Sequence, residues 1–288
     1  MAKTRELRRR IRSVEKTRQI TKTMEMVATS RLKRAQDRVV GARPYAQALA
    51  DILADLLRPE LEERFPLLRV PQGKPRRVAV VGLTSNRGLC GAFNANLIRE
   101  TRMRVEELEV QGTEVELHLI GRKGIGFFRF IGRAIASQRL DIGDRPTFEH
   151  AGQIIGPLMG RYATGELDGV EIIFSTFVSA LSTPPTRMAV LPLPAPEREG
   201  RRTPYYLFRP GVDGLLEALL PLYLQNQVYR ALVETAASEQ GARRTAMKNA
   251  TDSAGDMIDT LRRSLNRARQ AHITQEIAEI VGGAAALG

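Results

Sequence analysis

The chain has 288 residues, 43% of them hydrophobic, and carries 44 Lys and Arg against 32 Asp and Glu, a formal net charge of +12. This length allows one or two domains with a well-buried core. The single cysteine, Cys90, excludes a disulfide framework and a thiolate zinc site, and no run of about 18 apolar residues exists to form a membrane-spanning helix.

The positive charge is concentrated at the N-terminus, where residues 1–38 hold 13 Lys and Arg and only 4 Asp and Glu. Such a run is typical of a solvated helix face, and equally of a segment that binds an acidic partner: a nucleic acid, an anionic lipid surface or an acidic protein loop. No aromatic residue precedes Tyr45, so this segment offers nothing on which bases could stack. A basic nucleic-acid-binding protein stays open as a minor alternative.

The first long segment lacks proline from residue 3 to residue 43, and its apolar residues recur at helical spacing. This stripe is thin and consists of Leu7, Ile11, Val14, Ile20, Met24 and Val27. The pattern predicts a helix over about residues 3–57, and Gly41 and Pro44 are places where it can bend.

Residues 58–76 are rich in proline and are expected to form a linker. After it, short apolar runs alternate with amphipathic stretches. The predicted strands are 77–84, 115–120, 170–177 and 187–193, and the predicted helices are 93–110, 122–130 and 147–162. Strands that alternate with helices indicate an α/β domain with a largely parallel sheet over residues 77–209.

The C-terminal segment, residues 210–288, contains no proline after Pro221, which predicts one very long helix. Small and apolar residues recur along a predicted seam made of Val228, Leu232, Thr235, Ala242, Ala246, Met257, Leu261, Leu265 and Ala268. Because one domain of this size cannot cover two such helices, we expect 1–57 and 210–288 to pack together as an antiparallel coiled coil. The predicted fold class is therefore α/β, a central Rossmann-like domain flanked by long N- and C-terminal helices.

A glycine-rich turn follows the first predicted strand at Val81–Asn94 (VGLTSNRGLCGAFN). Phosphates bind at such turns, so a nucleotide-binding α/β enzyme is the main alternative function. However, neither G-x-x-x-x-G-K-[ST] nor G-x-G-x-x-G occurs, which favours a structural turn in which Gly88 and Gly91 permit close strand-to-helix passage. Cys90 in this turn is expected to be a small core residue.

Other catalytic signatures are missing from the sequence. G-x-S-x-G and H-E-x-x-H do not occur, and the three histidines are far apart, with no ligand pair at helical spacing. We therefore predict no metal site, whereas the nucleotide-binding alternative stays open at this point.

Several longer motifs occur in a fixed order along the chain. They are ITKTMEMVATSRLKRAQDR at 20–38, RGLCGAFN at 87–94, IGRKGIGFF at 120–128, LPLPA at 191–195, and, within 237–287, ASEQGARRTAMKNATDSAGDMI and NRARQAHITQEIAEIVGGAAAL. Together they closely resemble the gamma subunits of the bacterial type of rotary proton-translocating ATP synthase. The resemblance covers nearly the whole chain.

This resemblance implies a central rotor shaft that couples proton-driven c-ring rotation to ATP synthesis. The terminal helices would lie inside a hexamer of alternating alpha and beta subunits, and the α/β domain would lie below it, beside the epsilon subunit and on the c-ring. Nucleotide chemistry would belong to alpha and beta, so this chain would have no catalytic site and no cofactor of its own. The implied location is peripheral, on the cytoplasmic side of the plasma membrane, with membrane contact only through the c-ring and no nucleic-acid partner.

The resemblance also implies roles for individual residues. Met24 would face the beta lever, and polar contacts to beta loops would come from Arg243, Gln270, Thr274 and Glu276. Taken alone, these residues also fit an ordinary seam methionine and a solvated helix surface. The contact to the c-ring would be made by Tyr206, Phe208 and Arg209, and Arg209 stands where a common family pattern has an acidic residue.

Overall fold

Two long helices begin and end the described chain. In the computed structural model, which describes residues 2–56, 61, 64–193 and 212–287, helix α1 spans Ala2–Leu56 and helix α5 spans Val212–Leu287. Both predicted terminal helices are confirmed. Pro44 lies inside α1 and Pro221 inside α5, so neither proline ends its helix.

The chain divides into two units, which we describe separately. The helical unit consists of Met1–Ala28 and Arg244–Gly288, and the larger unit is Thr29–Arg243. The predicted boundaries of the linker, at 58–76, and of the α/β domain, at 77–209, stay predictions.

The larger unit contains a five-stranded sheet in the order β3-β2-β1-β4-β5. Along the chain the elements are β1 Arg77–Leu83, α2 Phe93–Val110, β2 Glu114–Ile120, α3 Arg122–Phe130, β3 Ser137–Arg139, α4 Phe148–Ala163, β4 Gly169–Ser175 and β5 Pro185–Leu191. All pairs are parallel except β4 with β5. The predicted, largely parallel α/β sheet is therefore confirmed.

Both faces of the sheet are covered, which explains why its strands read as continuous apolar runs. Along β1, Ala79 and Val81 point to a cluster with α4 and α5, whereas Val78 and Val80 point to a cluster with α2 and α3. This alternation follows from the two-residue period of a strand.

Two short elements escaped the sequence analysis. Strand β3 has only three residues, and a 3-10 turn spans Pro66–Leu68 in the predicted linker. Helix α4 begins with a clear local signal, because Thr147 Oγ1 accepts the His150 amide at 3.3 Å and His150 Nδ1 accepts the Thr147 amide at 3.1 Å.

Within the larger unit, α5 is buried all around from residue 231 to residue 241. One side of the helix, including Val228 and Leu232, packs into the sheet cluster. Another side, Val233 and Ala237, shares a cluster with α1 residues. The predicted seam at Val228 and Leu232 therefore faces the sheet, and the seam with α1 lies one position further along.

Within the helical unit the two chain ends run antiparallel. Thr251 Oγ1 donates to Thr21 Oγ1 at 2.8 Å, and Arg262 Nη2 lies 2.9 Å from Glu15 Oε1. The buried positions of α5 in this unit are Met247, Thr251, Ala254 and Ile258. Met257, which was expected in the seam, is 54% exposed. The buried residues keep helical spacing up to Ile258. Because Thr251 and Ala254 are small, the sequence did not show which face of the helix is buried.

Among the described residues, no helix combines the length and the apolar character that crossing a membrane requires.

The passage from β2 to α3 depends on Gly121, whose φ is +98°. A Cβ at this position would lie 2.1 Å from the Thr84 carbonyl oxygen, whereas a Cβ at Gly126, on the exposed side of α3, would meet nothing within 4 Å. Sequence reasoning singled out Gly88 and Gly91 and missed this glycine.

Substituting Gly121→Ala should lower the free energy of unfolding by about 3 kcal/mol, because the side chain overlaps backbone in a left-handed conformation. Gly126→Ala is the matched control and should leave it unchanged or raise it by up to about 1 kcal/mol. Urea unfolding of both variants tests this. Equal stability of the two would contradict the steric argument.

Candidate functional site

A cavity of about 440 Å³ opens at the carboxyl edge of the sheet, where Leu83 ends β1 and Ile120 ends β2. Open parallel sheets of this kind bind nucleotides at that edge. The cavity is therefore the place to examine for the alternative function of a nucleotide-binding enzyme.

The amides that would hold a phosphate there are already used. Helix α3 begins beside the cavity, and the amides of Arg122, Lys123 and Gly124 donate to Asn86 Oδ1 at 3.0 Å, the Ser85 carbonyl at 3.1 Å and Thr84 Oγ1 at 3.0 Å. A helix N-terminus attracts anions through unpaired N–H groups. Here the loop after β1 satisfies the first three of them.

The glycine-rich turn is internally bonded as well. Asn94 Oδ1 accepts the Ser85 amide at 2.9 Å, and Asn94 Nδ2 lies 3.1 Å from Cys90 Sγ. Cys90 is buried, as expected, and burial raises the pKa of its thiol, which keeps it protonated. Gly91 has a φ of +58°, which supports the interpretation as a structural turn.

Helix α5 lies across the same edge of the sheet. Ser238 Oγ donates to the Ser175 carbonyl at 3.1 Å, and Thr235 Oγ1 accepts the Ser175 amide at 3.4 Å, both at the end of β4. Glu234 Oε2 accepts the Phe177 amide at 3.4 Å. These hydroxyl and carboxylate groups pair backbone groups at the end of β4. The sequence analysis placed Thr235 in the helix seam and gave Ser238 and Glu234 no role.

A buried ion pair completes the edge. Arg243 Nη2 lies 2.6 Å from Glu239 Oε1 and donates to the Gly88 carbonyl at 3.3 Å. Burial raises the pKa of Glu239, and the neighbouring guanidinium opposes the shift. Glu239 and Asp144 line the cavity together with Arg87 and Arg122, so the lining carries no excess of positive charge that would attract a phosphate. The arrangement ties the glycine-rich turn to α5, and together with the paired amides at the start of α3 it argues against nucleotide binding at this edge of the sheet.

The positions carried over from the resemblance fall in different environments. Arg243 is only 8% exposed in the larger unit, with both partners just described. In the helical unit, Met24 is half-buried, and Gln270, Thr274 and Glu276 are exposed. Gln270 and Thr274 share one face of α5 by their spacing, and Glu276 Oε1 lies 3.1 Å from His272 Nδ1.

The three residues predicted to contact the c-ring, Tyr206, Phe208 and Arg209, lie outside the described residues. At the N-terminal end, Arg8, Arg9 and Arg10 are exposed, and Arg10 pairs with Glu6 at 2.7 Å. Within the described ranges, no cluster of three or more His, Cys, Asp or Glu side chains is arranged to hold a metal ion.

Comparison with known proteins gives consistent matches along the chain. A family model described as ATP synthase matches residues 3–287. The ATP synthase gamma chain of Gemmatimonas aurantiaca is 60% identical over 289 residues, which cover 100% of this chain and 99% of the relative. That of Heliobacterium modesticaldum is 44% identical over 292 residues, which cover 99% of each chain.

Solved structures agree with this. A chain of the central stalk and c-ring of Tetrahymena thermophila mitochondrial ATP synthase superposes with a TM-score of 0.59 at 26% identity and covers 80% of this chain and 99% of that one. A chain of the Euglena gracilis mitochondrial ATP synthase gives 0.67 at 19% identity, over 99% of this chain and 95% of that one, and supports the fold alone.

Substituting Arg243→Met should lower the free energy of unfolding by about 3 kcal/mol at neutral pH, because it leaves Glu239 buried without its cation. The folded-state pKa of Glu239 should then rise further, so the variant should lose stability as pH rises through the range above an ordinary carboxyl pKa. Lowering the pH should therefore reduce the difference in free energy of unfolding between the variant and the wild type.

Urea unfolding of the Arg243→Met variant and of the wild type at several pH values measures this difference. Lys33→Met, which breaks an exposed pair with Asp37, is the control and should cost about 0.5 kcal/mol or less. An Arg243→Met deficit that is small, or independent of pH, would contradict the assignment of a buried charge pair.

Proposed function

This chain belongs to the ATP synthase gamma-chain family, and from that premise we propose how it acts as the central rotor shaft of the enzyme. In this proposal it receives rotation from a c-ring and transmits it to catalytic sites in the beta subunits. As a gamma chain it is a non-catalytic subunit. The observation that carries the proposal is the helical unit, in which the two ends of the chain form one antiparallel helix pair with few buried apolar residues.

Torque needs helices that are fixed where they leave the α/β sheet. In the larger unit, α5 is held between the sheet and α1, and Ser238 and Thr235 bond it to the end of β4. Close packing makes such an interior resist deformation. We propose that a rotation applied to the sheet is passed to both helices through these contacts.

The sparse apolar surface of the helical unit suits a shaft that must turn. Large apolar contacts with surrounding subunits would have to be broken at every rotational step. Exposed ion pairs each stabilise a contact by only about 0–1 kcal/mol. The exposed arginines Arg8, Arg9 and Arg10 fit weak contacts of this kind with acidic levers of beta. Met24 is proposed to face the same lever.

Further contacts to beta loops are proposed for Gln270, Thr274 and Glu276, whose side chains are exposed and able to form polar contacts. Arg243 belongs to this set only if its guanidinium leaves Glu239 and the Gly88 carbonyl, because both partners satisfy it here. Substitution of the exposed residues therefore tests the contact with beta directly, whereas substitution of the buried Arg243 also changes stability.

The assembly proposed for this chain contains alpha and beta subunits as a hexamer, the epsilon subunit and the c-ring. Contact with the c-ring is proposed for Tyr206, Phe208 and Arg209. Membrane association would then come through the c-ring alone, on the cytoplasmic side of the plasma membrane. The occupied sheet edge described above argues against the alternative of a nucleotide-binding enzyme.

The chain mixed with alpha and beta subunits from its own source should co-elute at one copy per hexamer. ATP hydrolysis by the mixture should exceed that of alpha plus beta and that of this chain alone. Size-exclusion chromatography with a coupled ATPase assay measures both. Absence of a complex, under conditions where alpha and beta themselves assemble, would reject the shaft proposal.

A variant carrying Gln270→Ala, Thr274→Ala and Glu276→Gln should still co-elute but should lower ATP turnover of the complex about tenfold, the loss expected from roughly 1.4 kcal/mol of missing contacts. The control removes exposed polar groups of the larger unit, Arg99→Ala with Arg102→Ala, and should retain wild-type turnover. Unchanged turnover in the triple variant would remove these residues from the proposed contact.

A further inference from the structure

Four arginines of the larger unit converge on one small cavity of about 210 Å³. Three come from α1, one from the loop before α4, and α5 closes the wall. The lining residues are Arg31, Arg34, Arg38, Asp144, Arg145 and Gln240. We call this group the arginine pocket.

The charges of the arginine pocket do not balance. Among the described residues that line it, Asp144 alone is acidic. Its carboxylate forms an ion pair with Arg31 and accepts from Gln240 Nε2 at 3.3 Å, and its carbonyl accepts from Arg38 Nη2 at 2.9 Å. One carboxylate therefore stands against four guanidinium groups, which leaves three positive charges around a small volume.

The arginines of the pocket have few acceptors among the described residues. Arg38 Nε is buried without a hydrogen-bond partner. Arg34 reaches only the Ser30 carbonyl and hydroxyl oxygens, both at 3.4 Å, and Arg145 forms no hydrogen bond or ion pair with another described residue. A buried N–H group without an acceptor is uncommon in proteins and calls for a partner.

We infer that the arginine pocket binds a doubly charged tetrahedral oxyanion, namely inorganic phosphate or the terminal phosphoryl group of a nucleotide. Phosphate supplies several acceptor oxygens in the geometry that guanidinium forks match, and its two charges offset most of the surplus. A monovalent ion would offset only one charge. Its lining differs from that of the sheet-edge cavity, which shares Asp144 with it and in which two carboxylates balance two arginines.

A bound oxyanion would connect α1 to the loop before α4, two segments that Asp144 already joins through Arg31 and Arg38. Since the ligand binds the folded state, it would also stabilise the larger unit. The inference goes beyond the rotor role, which needs no ligand on this chain.

Calorimetric titration of inorganic phosphate into the full chain tests the site, with sodium chloride of matched ionic strength as the blank. Saturable binding at one site per chain is expected. Arg34→Ala with Arg145→Ala should weaken it at least about tenfold, because a tenfold loss corresponds to about 1.4 kcal/mol, which is less than two charge-assisted contacts contribute. These residues are exposed and do not hold Asp144, so the fold should survive, which the thermal unfolding midpoint checks.

Arg99→Ala with Arg102→Ala on α2 removes the same charge from another exposed surface and should leave phosphate affinity unchanged. An equal loss in both double variants would show general charge attraction and would overturn the inference. So would the absence of saturable phosphate binding to the wild type.

Two further titrations distinguish the possible ligands. ADP that binds, is displaced by phosphate and weakens in Arg34→Ala with Arg145→Ala would support the pocket with a nucleotide as the source of the phosphoryl group. A glutamate-rich peptide that binds in a chain showing no phosphate binding would assign the arginines to a protein partner and overturn the inference. Neither outcome depends on the ATPase assay of the reconstituted complex.

Discussion

Much of the larger unit depends on the burial of α5 between the sheet and α1 over residues 231–241. An α-helix in a surface layer shows one apolar stripe and one polar face. Here the helix has no free face, so its polar residues need partners inside the protein. Ser238 and Thr235 find them at the end of β4, and Glu239 finds Arg243. The same contacts pair the backbone at the end of β4, beside the sheet-edge cavity.

The non-catalytic role of the family fits this arrangement. A domain of nucleotide-binding architecture keeps its sheet and its crossovers, while its edge is occupied by the protein's own side chains. The amides at the start of α3 are paired in the same way. Asn86, Ser85 and Thr84 accept the hydrogen bonds that a bound anion would otherwise accept. The start of α3 therefore keeps the position of an anion site while its first three amides are paired within the protein.

The sequence alone was sufficient for most elements, because they depend on local patterns. Helix α2 was predicted at its observed bounds, Phe93–Val110, and β1 within one residue. The three-residue β3 has too short a pattern to recognise. The phase of the seam was wrong at Met257, because small residues bury either of two neighbouring faces equally well until the partner helix is known.

The candidate site was less accessible to such reasoning. Glycines 88 and 91 stand out in the sequence, but Gly121 matters because of Thr84, which is distant along the chain. The pair of Glu239 and Arg243 shows the same limit: its spacing indicates an ordinary helical ion pair, and only the packed structure makes it a buried one. The positions carried over from the family, such as Gln270 and Thr274, still require a partner to test them.

The helical unit is made from opposite ends of the polypeptide, and this has a consequence for biosynthesis. Thr21 bonds to Thr251 across 230 residues of chain, so a ribosome must release nearly the whole protein before this contact can form. Direct closure of so long a loop is entropically unfavourable. In the larger unit, Ala35 of α1 and Ala237 of α5 belong to one hydrophobic cluster. Formation of this cluster brings the two helices together and reduces the remaining entropy cost of loop closure. Until then the basic N-terminal segment lacks its helical partner.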